Sequence, residues 1–247
     1  MNHQLIPPQH LMGAVGPGDY LKFQAVATEF LGYFQKFADL KPSESVLDVG
    51  CGVGRIALAL TEYLDSQGSY QGFDILKEGI KWCQKNISPL YPNFQFEFAN
   101  IYSKNYNPQG IIKASEYQFN YADESFDFVY LTSVFTHMVP ADLENYLREI
   151  SRVLKPSGRC LITFCLLTEE SLKLVDAKLS KFDFKYDFGF YRLMDLDIPE
   201  IGVAYQEDFI LSLYEKSGLK LIQPIQYGKW CGRTEFLSGQ DIIIAQK

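Results

Sequence analysis

Asp48, two residues ahead of three alternating glycines in Asp48-Val49-Gly50-Cys51-Gly52-Val53-Gly54-Arg55, opens the stretch of this chain best suited to chemistry. Val46, Leu47 and Val49 form a short apolar run of the kind a buried parallel strand shows. After Arg55 the apolar residues Ile56, Leu58, Ala59, Leu60, Tyr63 and Leu64 recur at helical spacing. The unit reads as strand, glycine turn, helix, and that geometry aims unpaired backbone N–H groups at whatever lies over the turn. Glycine admits a ligand where a Cβ would block it and permits positive φ. A dinucleotide turn would read G-x-G-x-x-G, whereas the spacing here is G-x-G-x-G, and no G-K-[ST] follows to make a P-loop. A carboxylate at Asp48 repels a pyrophosphate and suits a cation.

This pattern resembles the cofactor-binding motif of class I S-adenosylmethionine-dependent methyltransferases, whose ligand carries a sulfonium and an ammonium; the alternative is an ordinary glycine-rich strand–helix turn. A second strand, Ser69–Phe73, ends at Asp74, about 20 residues past the glycines, where a Rossmann-like unit places a carboxylate on ribose hydroxyls. The resemblance supports that role for Asp74; its other reading is an N-cap for a helix over Glu78–Asn86. Asn100 follows a third strand, Phe94–Phe98, at a position where the family usually has an aspartate on the adenine amino group. Its carbonyl oxygen can accept the same bond. The loop 102–118 that follows is longer than such folds need, and adenine contacts from beyond it are the alternative to Asn100.

Phe126–Leu131 and the segment Thr132–Met138 resemble the family's fourth strand, past which backbone groups meet the methionine end of the cofactor. Arg152-Val153-Leu154-Lys155-Pro156-Ser157-Gly158 matches its turn into strand five, with Pro156 stopping a helix and Gly158 expected as the left-handed cap. The cofactor-binding set implied is Asp48, Gly50, Cys51, Gly52, Gly54, Arg55, Asp74, Ile75, Asn100, Ile101, Leu131 and Thr132, with S-adenosyl-L-methionine as cofactor and no metal. His137 follows strand four, whereas His3 and His10 lie near the N-terminus. It is the candidate base for a hydroxyl acceptor, and the alternative is a loop-orienting or capping role.

The elements that must carry these residues follow from the rest of the chain. At 247 residues, 47% hydrophobic and 21% charged, it accommodates one α/β domain with additions. A net charge of −7 disfavours nucleic acid and anionic membrane as partners. Five cysteines without CxxC spacing read as reduced thiols. No secretory signal pattern and no run of transmembrane length are present, so the expected location is cytoplasmic. Residues 1–18 read as a loose N-terminal arm, and Asp19 as the N-cap of an amphipathic helix reaching about Leu40.

Residues 181–191 alternate strictly, with Phe182, Phe184, Tyr186, Phe188 and Phe190 on one face of an expected strand. That face is either a core-covering ribbon or homodimer interface, or a lid over the acceptor pocket. Trp230 and Arg233 are either acceptor-site residues or part of a packed turn. Strands six and seven are expected at Leu219–Ile225 and Asp241–Ala245. The resulting fold class is α/β: a doubly wound Rossmann-like sheet of seven strands, mostly parallel with an antiparallel last strand, plus an added β-ribbon or lid. A single domain over 19–247 with insertions at 102–118 and 168–204 is expected. The implied activity is methyl transfer to a small-molecule acceptor, foremost a hydroxyl. The alternatives are an N-, S- or protein methyltransferase, or a non-catalytic cofactor-binding subunit.

Overall fold

A computed structural model describes residues 5–16 and 18–247. Helix α1 (Gln9–Ala14) precedes α2 (Tyr20–Ala38), whose first turn is capped by the Asp19 carboxylate accepting from Lys22 N at 2.9 Å. Then come β1 (Ser45–Val49), α3 (Arg55–Leu60), β2 (Ser69–Asp74), α4 (Lys77–Asn86), β3 (Phe94–Phe98) and β4 (Phe126–Leu131). The order continues with α5 (Pro140–Val153), β5 (Leu154–Phe164), β6 (Leu166–Leu167), α6 (Glu169–Asp176), β7 (Tyr186–Asp187) and β8 (Tyr191–Leu193). Last are β9 (Val203–Gln206), α7 (Glu207–Lys216), β10 (Lys220–Leu221) and β11 (Asp241–Gln246).

Seven strands form one sheet in the order β10-β11-β5-β4-β1-β2-β3, with β11 antiparallel to β5 and to β10 and the other pairs parallel. This is the expected doubly wound sheet. Strand alternation sends Leu47 and Val49 into one apolar layer with Leu147 and Ile150 of α5. Val46 goes into the other, where Phe30 and Phe34 of α2 pack with Ile56 of α3 and Ile80 of α4. Phe34 is fully buried, edge-on to Phe128 at 5.0 Å and tilted on Tyr130 at 4.6 Å. The strand order reverses between β1 and β4, and that switch point opens the crevice described below.

A second sheet, β6-β9-β8-β7, is built from the 168–204 region and its flanks. Asp241 joins it to the first. Its fully buried carboxylate accepts from Leu166 N (2.7 Å), Gly228 N (2.6 Å) and Trp230 Nε1 (2.6 Å), with the Arg233 guanidinium at 3.3 Å.

Several local expectations change. The stretch expected as a loose arm contains α1, and Leu5, Leu11 and Met12 are buried against the α2–α3 layer; its residues 1–4 and 17 lie outside the described residues. Ser157, not Gly158, is the left-handed residue at the entry to β5 (φ 65°). Gly158 is needed for space instead, since a Cβ there would stand 2.8 Å from the Lys155 carbonyl oxygen. The long aromatic strand is not formed: Gly189 (φ 85°) turns the chain into the β7–β8 hairpin. Phe184 is buried beside Trp230 while Phe188 and Phe190 are exposed, so the aromatics do not share one face. Strand six shrinks to the two residues of β10.

Asp241→Ala should destabilise the protein by about 3–5 kcal/mol, because the buried Arg233 loses a counter-charge and three donors lose their acceptor. Urea unfolding read by tryptophan fluorescence, which reports Trp230 at the junction, measures it; a loss under about 1 kcal/mol would show the junction to be dispensable.

Candidate active site

β1 ends in the glycine turn because Gly50, Gly52 and Gly54 all take positive φ (86°, 58° and 73°). A Cβ on Gly50 would collide with Val134, and one on Gly52 would stand 2.7 Å from Val15 Cγ1, so side chains cannot be added at either. The turn does not offer the free donors the sequence suggested. Gly50 N and Cys51 N both donate to Phe73 O (2.9 and 3.1 Å), Gly54 N donates to Cys51 O, and Gly52 N donates to Asp74 Oδ2 at 2.6 Å. Its contribution to the crevice is a Cβ-free floor.

Below that floor lies Asp48, 2% exposed. Tyr130 stands opposite it in the β1–β4 register and Tyr70 two residues away in the β1–β2 register. Both hydroxyls donate to Oδ2 at 2.7 Å, whereas Oδ1 is buried with no partner. Burial outweighs these two donors and raises the Asp48 carboxyl to about 7. The Arg55 guanidinium also faces the crevice; it donates to Val15 O at 3.1 Å, and its Nε is buried without a partner. Asp74 accepts one backbone N–H at each oxygen, Gly52 at Oδ2 and Leu76 at Oδ1 (2.7 Å), leaving each oxygen lone-pair capacity. Leu76 is itself the N-cap of α4, so Asp74 fastens β2 to the glycine turn rather than capping the inner N–H groups of the helix. Burial raises its carboxyl too.

These groups line one cavity of about 410 Å³ at the carboxyl ends of β1, β2 and β4. The structure brings Asp48, Gly50, Cys51, Gly52, Arg55, Asp74, Ile75, Ile101, Thr132 and His137 to its wall. Gly54, Asn100 and Leu131 are not there. Gly54 faces Ile87 and Cys83 under α4, and Leu131 is fully buried in the α5 layer. The backbone carbonyl of Asn100 accepts from Ile111 N and Ile112 N (3.1 and 3.2 Å), which ties the end of the long loop back onto the chain just past β3. Ile101, Tyr102 and Ser103 line the cavity in its place. Trp230 and Arg233 belong to the Asp241 junction and do not line the cavity, and the aromatics of 181–191 do not line it either.

His137 ends a 3-10 turn, Phe135–His137, just past β4. Its Nδ1 lies 2.7 Å from the carbonyl oxygen of Glu200, an acceptor, so Nδ1 carries the proton and Nε2 presents its lone pair beside the Tyr106 hydroxyl at 3.5 Å. Burial lowers its pKa below the usual histidine value, keeping the ring neutral at pH 7. The Tyr106 ring meets it edge-on at 5.3 Å.

Among the contributors to the wall that sequence reasoning missed are Val15, Tyr106, Asp142 and Glu200. Tyr106 and Glu200 come from the two segments outside the basic sheet. They meet through Lys104, whose N–H donates to Glu200 Oε1 (2.9 Å) and whose Nζ donates to Asp197 O (2.7 Å). Asp142 in the first turn of α5 carried one available signal, an acid just after Pro140 at the end of a strand-four segment.

Comparison with known proteins gives the family of the chain. A methyltransferase domain model matches residues 40–188, more than half of the chain. Demethylmenaquinone methyltransferase of Lysinibacillus sphaericus is 28% identical over 151 residues, 61% of this chain and 56% of that protein. Phosphoethanolamine N-methyltransferase 3 of Arabidopsis thaliana is 29% identical over 130 residues, 53% of this chain and 23% of that protein. The chain thus spans between about a quarter and just over half of the length of these curated relatives. The PH0226 protein of Pyrococcus horikoshii shares the fold, with a TM-score of 0.62 at 16% identity over 92% of each chain. The matched segment runs from the approach to β1 through β5 and into β7, with the glycine turn, Asp74 and His137 inside it: the chain belongs to the methyltransferase domain family.

Proposed function

We propose that this chain is an enzyme that binds S-adenosyl-L-methionine and transfers its methyl group to a small-molecule acceptor, foremost a hydroxyl. The observation that carries the reading is the pairing of two orphaned buried atoms of opposite charge on one cavity wall, Asp48 Oδ1 and Arg55 Nε. An unsatisfied buried charge costs several kcal/mol, so both atoms are matched to a ligand that has an ammonium and a carboxylate. The amino-acid end of the cofactor has both. Asp74, with one protein donor on each oxygen, keeps the capacity to accept two ribose hydroxyls, and Ile101 and Tyr102 offer an apolar wall for the adenine.

When bound, the cofactor supplies a methyl group already activated on a sulfonium. The chain's part is alignment, exclusion of water and proton removal. His137 is suited to the last: its Nδ1–H is held by the Glu200 carbonyl, and its neutral Nε2 can take the proton of a hydroxyl as that oxygen attacks. The names of the relatives, one acting on demethylmenaquinone and one on phosphoethanolamine, differ in acceptor and leave this chain's own open. We place the protein in the cytoplasm, as one domain that engages neither nucleic acid nor membrane; no described helix is long and apolar enough to cross a membrane.

Isothermal titration is the direct test. S-Adenosylhomocysteine should bind and NAD should not; heat from NAD alone would overturn the reading. Gly52→Val should lose both this binding and the seating of Val15, and so should lower the melting temperature as well.

The burial of Asp48 makes the stability of the protein depend on pH. The Asp48 carboxyl sits at about 7 in the folded protein against 3.8 when free, so the folded state holds the extra proton between those values. The associated stability is complete below about pH 4 and is lost as pH rises through 7, by up to roughly 4 kcal/mol. Asp74 shares the upward direction, so the comparison with Asp48→Asn is the informative one. Relative to that variant the ligand-free wild type should lose melting temperature between pH 5 and 8, while its affinity for S-adenosylhomocysteine should rise over the same range. Parallel melting curves for the two proteins would refute the assignment.

His137→Ala should lower kcat by roughly 10²–10⁴ while leaving cofactor affinity nearly intact. The wild-type rate should climb with pH through a midpoint below about 6.5, since burial lowers this histidine. A variant with full kcat would remove His137 from proton transfer.

A further inference from the structure

Outside the glycine turn, the cavity wall includes Tyr106, Met138, Asp142, Tyr146 and Glu200 along with His137. Among the described residues, four carboxylates line the whole cavity (Asp48, Asp74, Asp142 and Glu200) and one guanidinium does (Arg55). No lysine lines it; Lys104 is turned away to the Asp197 carbonyl. A cofactor with one net positive charge therefore leaves carboxylates uncompensated.

The excess is concentrated at the acceptor wall. Glu200 spends Oε1 on the backbone N–H of Lys104, while its Oε2 is shut off from solvent and has no hydrogen-bond partner. Burial raises the Asp142 carboxyl, hydrogen bonds from Ser115 and Val139 oppose that rise, and the charge of nearby Glu200 adds a smaller upward push. Two neighbouring carboxylates without a cation repel one another, and a ligand cation placed between them relieves both the repulsion and the orphaned oxygen. Tyr106 and Tyr146 add ring surface to the same wall, and aromatic faces attract an ammonium through the ring quadrupole.

We propose that the acceptor carries a positively charged amine, held between Glu200 and Asp142 against Tyr106, next to the hydroxyl that it presents to His137. This deepens the reading above and rests on it. The acceptor class is then a compact amino alcohol or its quaternary ammonium counterpart. Acidic and neutral metabolites of the same size are excluded by the two carboxylates. Glu200 thereby has two separable duties: its backbone carbonyl orients His137, and its side chain selects the substrate.

The test is a pair of matched titrations by calorimetry, in the presence and in the absence of S-adenosylhomocysteine. Ethanolamine is compared with ethylene glycol, and tetramethylammonium with tert-butanol, so that each cation is set against a neutral molecule of similar size. The cations should bind at least about tenfold more tightly than their neutral counterparts, and that preference should fall about ten- to a hundredfold in Glu200→Gln and in Asp142→Asn. Both substitutions keep the shape of the side chain, and Gln at 200 can still accept from Lys104 N, so melting temperature and S-adenosylhomocysteine affinity should stay close to wild type. Equal binding of cation and neutral molecule, or an unchanged preference in both variants, overturns the proposal. Loss of S-adenosylhomocysteine binding in the wild type instead overturns the cofactor reading, and the titrations without it still report the cation preference by themselves.

Discussion

A single buried carboxylate sets the constraint around which this site is built. Asp48 is almost fully enclosed, yet its two oxygens are treated differently: Oδ2 receives two tyrosine hydroxyls and Oδ1 receives nothing from the protein. The two tyrosines come from the strands on either side of β1, so the parallel register of three strands must be correct for the carboxylate to be held. A slip by one residue would turn Tyr70 or Tyr130 to the opposite face and leave a buried acid with no donor. The packing of Phe34 onto Tyr130 extends the same dependence to α2, and Tyr70 stacks on Phe94 of β3 at 5.0 Å. Sheet register, the aromatic core and the polarity of the cavity floor are therefore one arrangement.

Asp74 performs the complementary task at the end of the neighbouring strand. By accepting from Gly52 N and Leu76 N it closes the glycine turn onto β2 and fixes the backbone shape that the three positive-φ glycines permit. The N–H groups that a phosphate-binding turn would present to a ligand are consumed in this closure. What remains exposed is an uncharged floor flanked by an acid and an arginine. Such a floor discriminates against polyphosphate ligands and favours a zwitterion, because the charged groups lie at its edges rather than in its N–H dipoles.

The side of the cavity proposed for the acceptor is assembled from additions to the sheet. Residues 102–118 are pinned by the backbone of Asn100 and Tyr102, and the second sheet is pinned by Asp241. Lys104 joins these two additions, and the Glu200 carbonyl passes that order to His137. Tyr205 of β9 donates its hydroxyl to the Met138 carbonyl, a further tie between the second sheet and the segment after β4. The catalytic candidate is thus oriented by elements outside the family's common core, which is consistent with one fold serving many acceptors.

The sequence by itself determined the sheet, the glycine turn and most of the floor. These follow from local signals: apolar runs of strand length, helical spacing after Arg55, three glycines that tolerate positive φ, and an acid at the end of the second strand. It also placed His137 at the crevice, since any residue just past β4 must arrive there. Tertiary structure decided what each group is free to do. The N–H groups of Gly50, Cys51 and Gly52 proved to be spent on Phe73 and Asp74, partners 22 or more residues away that no local pattern reveals. Asn100 does not line the cavity and its backbone carbonyl instead holds the returning loop, while the strand expected over 181–191 was interrupted by the Gly189 turn, with Phe184 buried beside Trp230. Leu11 and Met12 found a core that the proline- and glycine-rich composition around them had hidden. Glu200 and Asp142 are 58 residues apart in the chain and carry no motif; only the folding of an insertion over the end of α5 places two carboxylates on one wall. Periodicity and spacing encode what neighbours in sequence do together, whereas the pairing of distant polar groups depends on where whole elements come to rest.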